Sequence, residues 1–345
     1  MRADTPVAVP NSGVCSVAVM GAGSWGTALA MQLVRTGIRA LLWGRNPEHI
    51  DAMKVAGCNQ RFLPDVRFPD GLELEPSLEN AVRSTDEVLI VVPSHAFVEV
   101  VNQIEPWLRP GQGIAWACKG LEPGSGHFLH HAAIRSLGSG RPLAVVTGPS
   151  FAAEVAANLP TAVTVAGTDE HYCARIAQTL HGGNFRAYTS NDIVGAELGG
   201  AVKNVLAIAT GISDGMGLGN NARAALITRG LVEMMRLGRI LGAHEQTLTG
   251  LAGMGDLVLT STGDLSRNRR LGLALGAGKS VEEAIAEIGQ VVEGVSTSEE
   301  VWRLARRHGV EMPISEQVNG IIHKGWDPSR SVRELLSREQ KPENG

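Results

Sequence analysis

The chain has 345 residues, with 31 Lys and Arg against 35 Asp and Glu, a formal net charge of −4. At roughly 150 residues per domain this length predicts two domains, each able to bury a core. Hydrophobic residues at 43% and charged residues at 19% exclude a disordered chain, and the slight acidity excludes a broad nucleic-acid surface, which needs clustered positive charge.

No apolar run approaches the about 18 residues of a membrane span. Residues 1–13 carry no long apolar stretch and no cleavage site, and read as a loose N-terminal extension. The four cysteines, Cys15, Cys58, Cys118 and Cys173, form no C-x-x-C pair. That spacing argues against a disulfide framework or zinc knuckle and favours a reducing, cytoplasmic setting. Only six residues are lysine, so nearly all positive charge is Arg, and a lysine in an apolar stretch stands out.

Up to about residue 190, short apolar strands alternate with helical patterns. Strands are predicted at Val14–Met20, Arg39–Trp43, Glu87–Val92, Gly113–Cys118, Leu143–Thr147, Thr161–Gly167 and Phe185–Thr189. A helix is predicted over Thr27–Arg35, and another starts at Asn46-Pro47-Glu48, with Asn as N-cap and Pro in the first turn. Such alternation makes a parallel sheet covered on both faces, an α/β doubly wound, Rossmann-like domain over 14–190. After Asn191 the strand signals stop. Helical periods cover Ile193–Ile212, Asn221–Leu241, Val281–Ile288, Ser298–Arg307, Ile314–Lys324 and Ser329–Ser337, predicting a mostly α-helical substrate-binding domain over 191–340.

Gly21-Ala22-Gly23-Ser24-Trp25-Gly26 matches G-x-G-x-x-G between the first strand and the first helix. There Gly21 makes the turn, Gly23 admits a pyrophosphate, and Gly26 lets helix and strand pack closely. The helix N-terminus offers its N–H groups to the phosphates. At the tip of the second strand, Trp43-Gly44-Arg45 has no acidic residue to take a ribose 2′-hydroxyl. Arg45 suits a 2′-phosphate instead, favouring NADPH with NADH as the alternative.

Ligands bind at the carboxyl ends of strands in such sheets. Three ends are unusual: Val92-Pro93-Ser94-His95, Lys119-Gly120 and Gly148-Pro149-Ser150. In the helical half, Lys203-Asn204 sits within the apolar stretch GGAVKNVLAIATGI. Burial and nearby positive charge lower a lysine's pKa, the condition for proton exchange near neutral pH. Downstream, Gly253-Met254-Gly255-Asp256 brings a carboxylate, and Ser266-Arg267-Asn268-Arg269-Arg270 a cluster of donors just before the apolar Leu271–Leu275 helix. Fork donors at a helix start suit a substrate phosphate. His127 and His130 have metal-like spacing, but with no carboxylate at ligand spacing and no Cys partner they read as packing or surface residues, and no metal site is expected. His95 is a candidate for lining the cofactor pocket.

GxGxWG, CKG, GPSFA, AVKNV, GMGD, SRNRRLG and VVEG occur in this order over nearly all of residues 14–340. Together they resemble the NAD(P)-dependent glycerol-3-phosphate dehydrogenases. The N-terminal dozen residues and the Arg-rich composition depart from the family without touching a motif. The resemblance implies interconversion of dihydroxyacetone phosphate and sn-glycerol 3-phosphate, supplying phospholipid synthesis, in a homodimer without nucleic-acid partners. It implies Lys203 as the proton acceptor in oxidation and donor in reduction. Lys119, Gly148, Ser150, Lys203, Asp256, Ser266, Arg267 and Asn268 would meet the substrate. Ser24, Trp25, Arg45, Lys119, Ala152, Arg267, Val291 and Glu293 would meet the nucleotide, beside Gly21, Gly23 and Gly26. Whether Asp256 bonds a substrate hydroxyl or fixes Lys203 stays open at this level. The alternatives are a two-domain dehydrogenase of another small hydroxy acid and a non-catalytic NADPH-binding sensor.

Overall fold

The computed structural model describes residues 13–339, so residues 1–12 of the expected extension lie outside the described residues. Among the described residues, ten strands run in chain order: β1 (Ser16–Met20), β2 (Arg39–Trp43), β3 (Cys58–Asn59), β4 (Leu63–Arg67), β5 (Glu73–Glu75), β6 (Glu87–Ile90), β7 (Ile114–Trp116), β8 (Leu143–Thr147), β9 (Thr161–Gly167) and β10 (Phe185–Ser190). Seven helices accompany them: α1 (Ser24–Arg35), α2 (Pro47–Ala56), α3 (Leu78–Arg83), α4 (Ser94–Ile104), α5 (Leu129–Leu137), α6 (Ala152–Ala156) and α7 (Glu170–Leu180). The helical half contains α8 (Ile193–Gly215), α9 (Gly219–Leu241), α10 (Glu245–Thr249), α11 (Asp256–Thr262), α12 (Arg267–Gly276), α13 (Val281–Ile288), α14 (Glu293–Arg307), α15 (Pro313–Lys324) and α16 (Pro328–Leu336).

Eight strands form one sheet in the order β10-β9-β8-β7-β6-β1-β2-β5. Central strands such as β1 and β8 are buried along their whole length, as a sheet covered on both faces requires. The chain winds outward from β1 in both directions, which makes the carboxyl ends of β1 and β6 the switch point where such sheets bind ligands. The expectation of an all-parallel sheet is corrected at one place: β8 and β9 pair antiparallel, with Val145 opposite Ala166. The 13-residue connection through the short α6 returns the chain beside β8 in the opposite direction instead of crossing over the sheet to the same end.

Two compact units emerge, one comprising the chain up to Cys118 with Leu129–Ala196, the other Lys119–Phe128 with the chain from Glu197 onward. The expected single boundary near residue 190 therefore becomes a discontinuous one. The reason lies in the bonds of the 119–128 segment: Lys119 pairs with Asp256 at 2.8 Å, Gly124 N–H donates to Glu300 Oε1 at 2.8 Å, and Arg303 donates back to the Gly124 carbonyl.

The second unit is built around α8, whose Val202, Val205, Leu206 and Ile208 are fully buried. At 23 residues and with a mean hydropathy of 1.3 over its most apolar window, α8 is long and apolar enough to cross a membrane, contrary to the expectation that no run would qualify. That window is 94% buried inside the protein, as a core helix would be. From α9, the buried Glu233 carboxylate accepts the N–H groups of Ile314 and Ser315 at 2.6 and 3.2 Å, tying down the otherwise open start of α15.

Candidate active site

In the first unit, the turn after β1 is held by its glycines. Gly21 has φ +132°, and a Cβ there would lie 2.2 Å from the Val91 carbonyl oxygen. A Cβ on Gly26 would lie 1.9 Å from the Gly21 oxygen, so α1 can start this close to the strand only with glycine. Gly23 faces open space within 4 Å and begins α1 with no side-chain cap. Buried Asn59 on β3 braces the loop, donating to the Ala22 carbonyl at 3.1 Å and the Thr27 hydroxyl at 2.8 Å. A dinucleotide's pyrophosphate fits these residues: an open glycine, uncapped helix N–H groups, and the buried Trp25 indole N–H, which has no partner among the described residues. Arg45 is exposed just past β2, at the same sheet end, since Met20 pairs with Trp43 and Gly21 N–H donates to the Trp43 carbonyl. Gly148, Ser150 and Ala152 follow β8 in this unit, Gly148 with φ +133° and Ser150 Oγ donating to the Gly148 carbonyl at 2.9 Å. His95 is exposed in the first turn of α4.

The second unit gathers the ionisable groups. Lys203 on α8 is 6% exposed and Asp256, the first residue of α11, is 1% exposed. Lys203 Nζ donates to Asp256 Oδ1 at 2.6 Å and to Thr260 Oγ1 at 3.0 Å, while Lys119 Nζ donates to Asp256 Oδ2 at 2.8 Å. The backbone explains how Asp256 arrives there. Leu251–Gly255 forms a single π-helical turn, an uncommon geometry that re-aims the start of α11. Gly199 of α8 sits against that turn so closely that a Cβ would be 2.4 Å from the Ala252 oxygen, and Gly253 is equally tight against Leu248. Glycine at both positions brings α11 onto α8, and the carboxylate falls on the two lysines.

Burial pushes the Lys203 pKa down to about 8; Asp256 opposes that and Lys119 adds to it. Burial also works against an ionised Asp256, but the Lys119 and Lys203 ammonium groups outweigh it and hold the carboxyl below its usual range. The result is a charged carboxylate gripping two lysines, one of which gives up its proton near neutral pH. Of the two roles left open for Asp256, the geometry has both its oxygens on lysines.

Further side chains extend the cluster. Asn204 Nδ2 donates to the Lys119 carbonyl at 3.4 Å, Asn268 Nδ2 to Asn204 Oδ1 at 2.9 Å, and the Gly294 N–H to Asn268 Oδ1 at 2.9 Å. This amide chain brings α8, α12 and the start of α14 together. Arg267 donates to the Val291 carbonyl at 2.7 Å. Glu293 opens α14, with its carboxyl pKa raised by burial against the pull of Arg267, Lys203 and Lys119. Ser266 uses its hydroxyl as the N-cap of α12, accepting from Arg269 N–H at 3.2 Å. Thr260 went unnoticed in the sequence; its signal is the i, i+4 spacing from Asp256 on one helix.

A sheet with a glycine-tight nucleotide turn at its switch point, joined in one chain to a helical unit carrying a low-pKa lysine, defines a two-unit dinucleotide-dependent oxidoreductase. Family models described as the N-terminus and C-terminus of NAD-dependent glycerol-3-phosphate dehydrogenase match residues 16–173 and 192–333. The chain belongs to this family. It is 57% identical over 327 residues to "Glycerol-3-phosphate dehydrogenase [NAD(P)+]" of Xanthomonas euvesicatoria, covering 95% of this chain and 96% of that protein. Identity to the Stenotrophomonas maltophilia enzyme of the same name is also 57%, again over 95% and 96%. The crystal structure of glycerol-3-phosphate dehydrogenase from Coxiella burnetii superposes with a TM-score of 0.90 at 50% identity, covering 94% of this chain and 99% of that one.

Proposed function

We propose that the chain interconverts dihydroxyacetone phosphate and sn-glycerol 3-phosphate, with NADPH preferred and NADH accepted. The observation that carries this reading is the Lys203–Asp256–Lys119 cluster, a proton donor and acceptor poised near neutral pH. The bound nicotinamide supplies the hydride in one direction and takes it up in the other. Gly21, Gly23, Gly26, Ser24, Trp25, Arg45, Ala152, Lys119, Arg267, Val291 and Glu293 would hold the nucleotide.

In reduction, negative charge grows on the ketone oxygen, and the Lys203 ammonium stabilises it and then delivers its proton. Asp256 holds that ammonium in one place and bonds both lysines, so neither ammonium is buried without a carboxylate partner. In oxidation, neutral Lys203 takes the hydroxyl proton, and Lys119 favours its release afterwards. Arg267 and Asn268, at the start of α12, offer a fork and an amide to the substrate phosphate, with Lys119, Gly148, Ser150 and Ser266 as its further contacts. These donors favour a phosphorylated substrate over another hydroxy acid, and a non-catalytic sensor would have no use for a low-pKa lysine.

The same reading makes the chain a cytoplasmic homodimer that supplies glycerol 3-phosphate for phospholipid synthesis and needs no metal. The four cysteines are free, in keeping with a reducing compartment. The deciding assay follows NADPH absorbance with dihydroxyacetone phosphate, and again with unphosphorylated dihydroxyacetone and with NADH. Rapid loss with the phosphorylated ketone, and only a slow residual rate with the unphosphorylated one, is expected and should survive a chelator. No consumption by a folded, NADPH-binding protein overturns the assignment.

A further inference from the structure

The helices that carry Lys203 and the Arg267–Asn268 pair meet at backbone distance along their length. A Cβ on Gly211 of α8 would lie 2.2 Å from the Arg269 carbonyl oxygen of α12, and one on Gly215 2.3 Å from that of Leu273. The match is reciprocal, with Gly272 and Gly276 lying as tightly against the Ile208 and Ile212 carbonyls. Bare glycine contact sets how close two helices come but has no side chain to fix rotation or sliding.

Two polar contacts join the same helices beside the glycines. One is the Asn204–Asn268 bond already described. In the other, Asp214 Oδ2, between Gly211 and Gly215, accepts from Arg269 Nε at 3.2 Å and Nη2 at 2.8 Å, and from Arg223 Nη1 at 2.9 Å. Arg269 and Asp214 side chains are 9% and 10% exposed. The remaining Arg269 nitrogen, Nη1, bonds Asp264, whose side chain is almost wholly exposed. Asp214 lies eleven residues beyond Lys203, about 16 Å along the helix, too far to share its proton. Its target Arg269 is the residue after Asn268 and two after Arg267, so the fork sets the orientation of the turn carrying both.

We propose that Asp214 is a positioning residue for the phosphate end of the substrate, acting through Arg269. This rests on the functional reading above. Two guanidinium N–H groups converging on one little-exposed carboxylate oxygen are a directional restraint, and small misplacements of a donor turn cost affinity steeply. Charge alone at Asp214 is not enough, because a single-point contact would leave the turn free to rotate.

The test is steady-state kinetics of Asp214→Asn on dihydroxyacetone phosphate and on unphosphorylated dihydroxyacetone. KM for the phosphorylated ketone is expected to rise about tenfold with kcat within about twofold, and kcat/KM for the unphosphorylated ketone to stay put. Asp214→Glu should recover part of the loss. Arg269→Lys, which keeps the charge and loses the fork, should shift the ratio the same way, and it carries the test if Asp214→Asn does not fold. An unchanged ratio in folded variants, or equal losses on both ketones, overturns the proposal. A wild-type chain inactive on dihydroxyacetone phosphate overturns the functional reading and this inference with it.

Discussion

Lys203 and Asp256 meet at 2.6 Å although 53 residues separate them, and neither is more than 6% exposed. A buried ion pair of this kind contributes little net stability, since desolvation of both groups offsets their attraction. Its value is chemical. Because Asp256 also holds Lys119, one carboxylate serves two ammonium groups; burial, with the Lys119 charge adding to it against the pull of Asp256, brings Lys203 down to about 8.

Replacing Lys203 with Ala should therefore abolish proton transfer while leaving the fold in place, since Asp256 keeps Lys119 as its partner. Loss of a general acid and of an electrostatic stabiliser together predicts a drop in kcat of about 10³-fold or more. Lys203 is not among the residues assigned to the nucleotide, so NADPH binding, read by its fluorescence, should persist. Near-normal turnover in this variant would falsify the assignment.

The pH profile has a definite sign. Ketone reduction needs Lys203 protonated, so kcat should fall as pH rises through about 8. Alcohol oxidation needs it neutral and should rise through the same region. Lys119→Met removes a cation that lowers the Lys203 pKa, so the alkaline limb of reduction should move to higher pH. A limb that stays put or moves down, measured by initial rates across pH 6–10, would reject Lys203 as the titrating group.

Local signals carried much of this into the sequence. The Arg39–Trp43 strand, the Asn46 cap with Pro47, and the Val281–Ile288 helix with its Ser280–Glu283 capping box were all legible, because apolar runs and caps act within a few residues. Lys203 was legible as a charge in an apolar helix. The β3–β4 hairpin was not, since Leu63–Arg67 is largely exposed and its purpose, placing Asn59 under the nucleotide loop, is a contact across more than thirty residues. The antiparallel turn of β9 and the transfer of 119–128 to the helical unit depend on tertiary partners in the same way. The π-helical turn was hidden too, because only the neighbouring Gly199 shows why the backbone must pass so close.

Gly26→Ala probes the nucleotide turn without adding charge. Its Cβ would meet the Gly21 backbone oxygen at 1.9 Å, and neither partner is a flexible side chain. The helix start must shift, at a cost of about 1–3 kcal/mol in stability. Urea denaturation should show that loss, and dinucleotide affinity should weaken by about tenfold or more as the α1 N–H groups move. An unaltered Kd for NADPH would mean that this helix start does not hold the phosphates.

Arg45 decides between the two nucleotides. It is exposed beyond β2, where a ribose 2′-substituent is read in sheets of this kind, and no acidic residue stands at that strand tip. Charged hydrogen bonds contribute about 1.5–3 kcal/mol, so Arg45→Ala should raise KM for NADPH by about tenfold or more and leave KM for NADH nearly unchanged. Because the contact is exposed, the wild-type preference should shrink as ionic strength rises. Arg45→Asp should go further and reverse the preference, since a carboxylate repels the 2′-phosphate and accepts from a ribose hydroxyl. Parallel losses for NADPH and NADH would show instead that Arg45 acts on a part common to both nucleotides, and the 2′-phosphate assignment would fall.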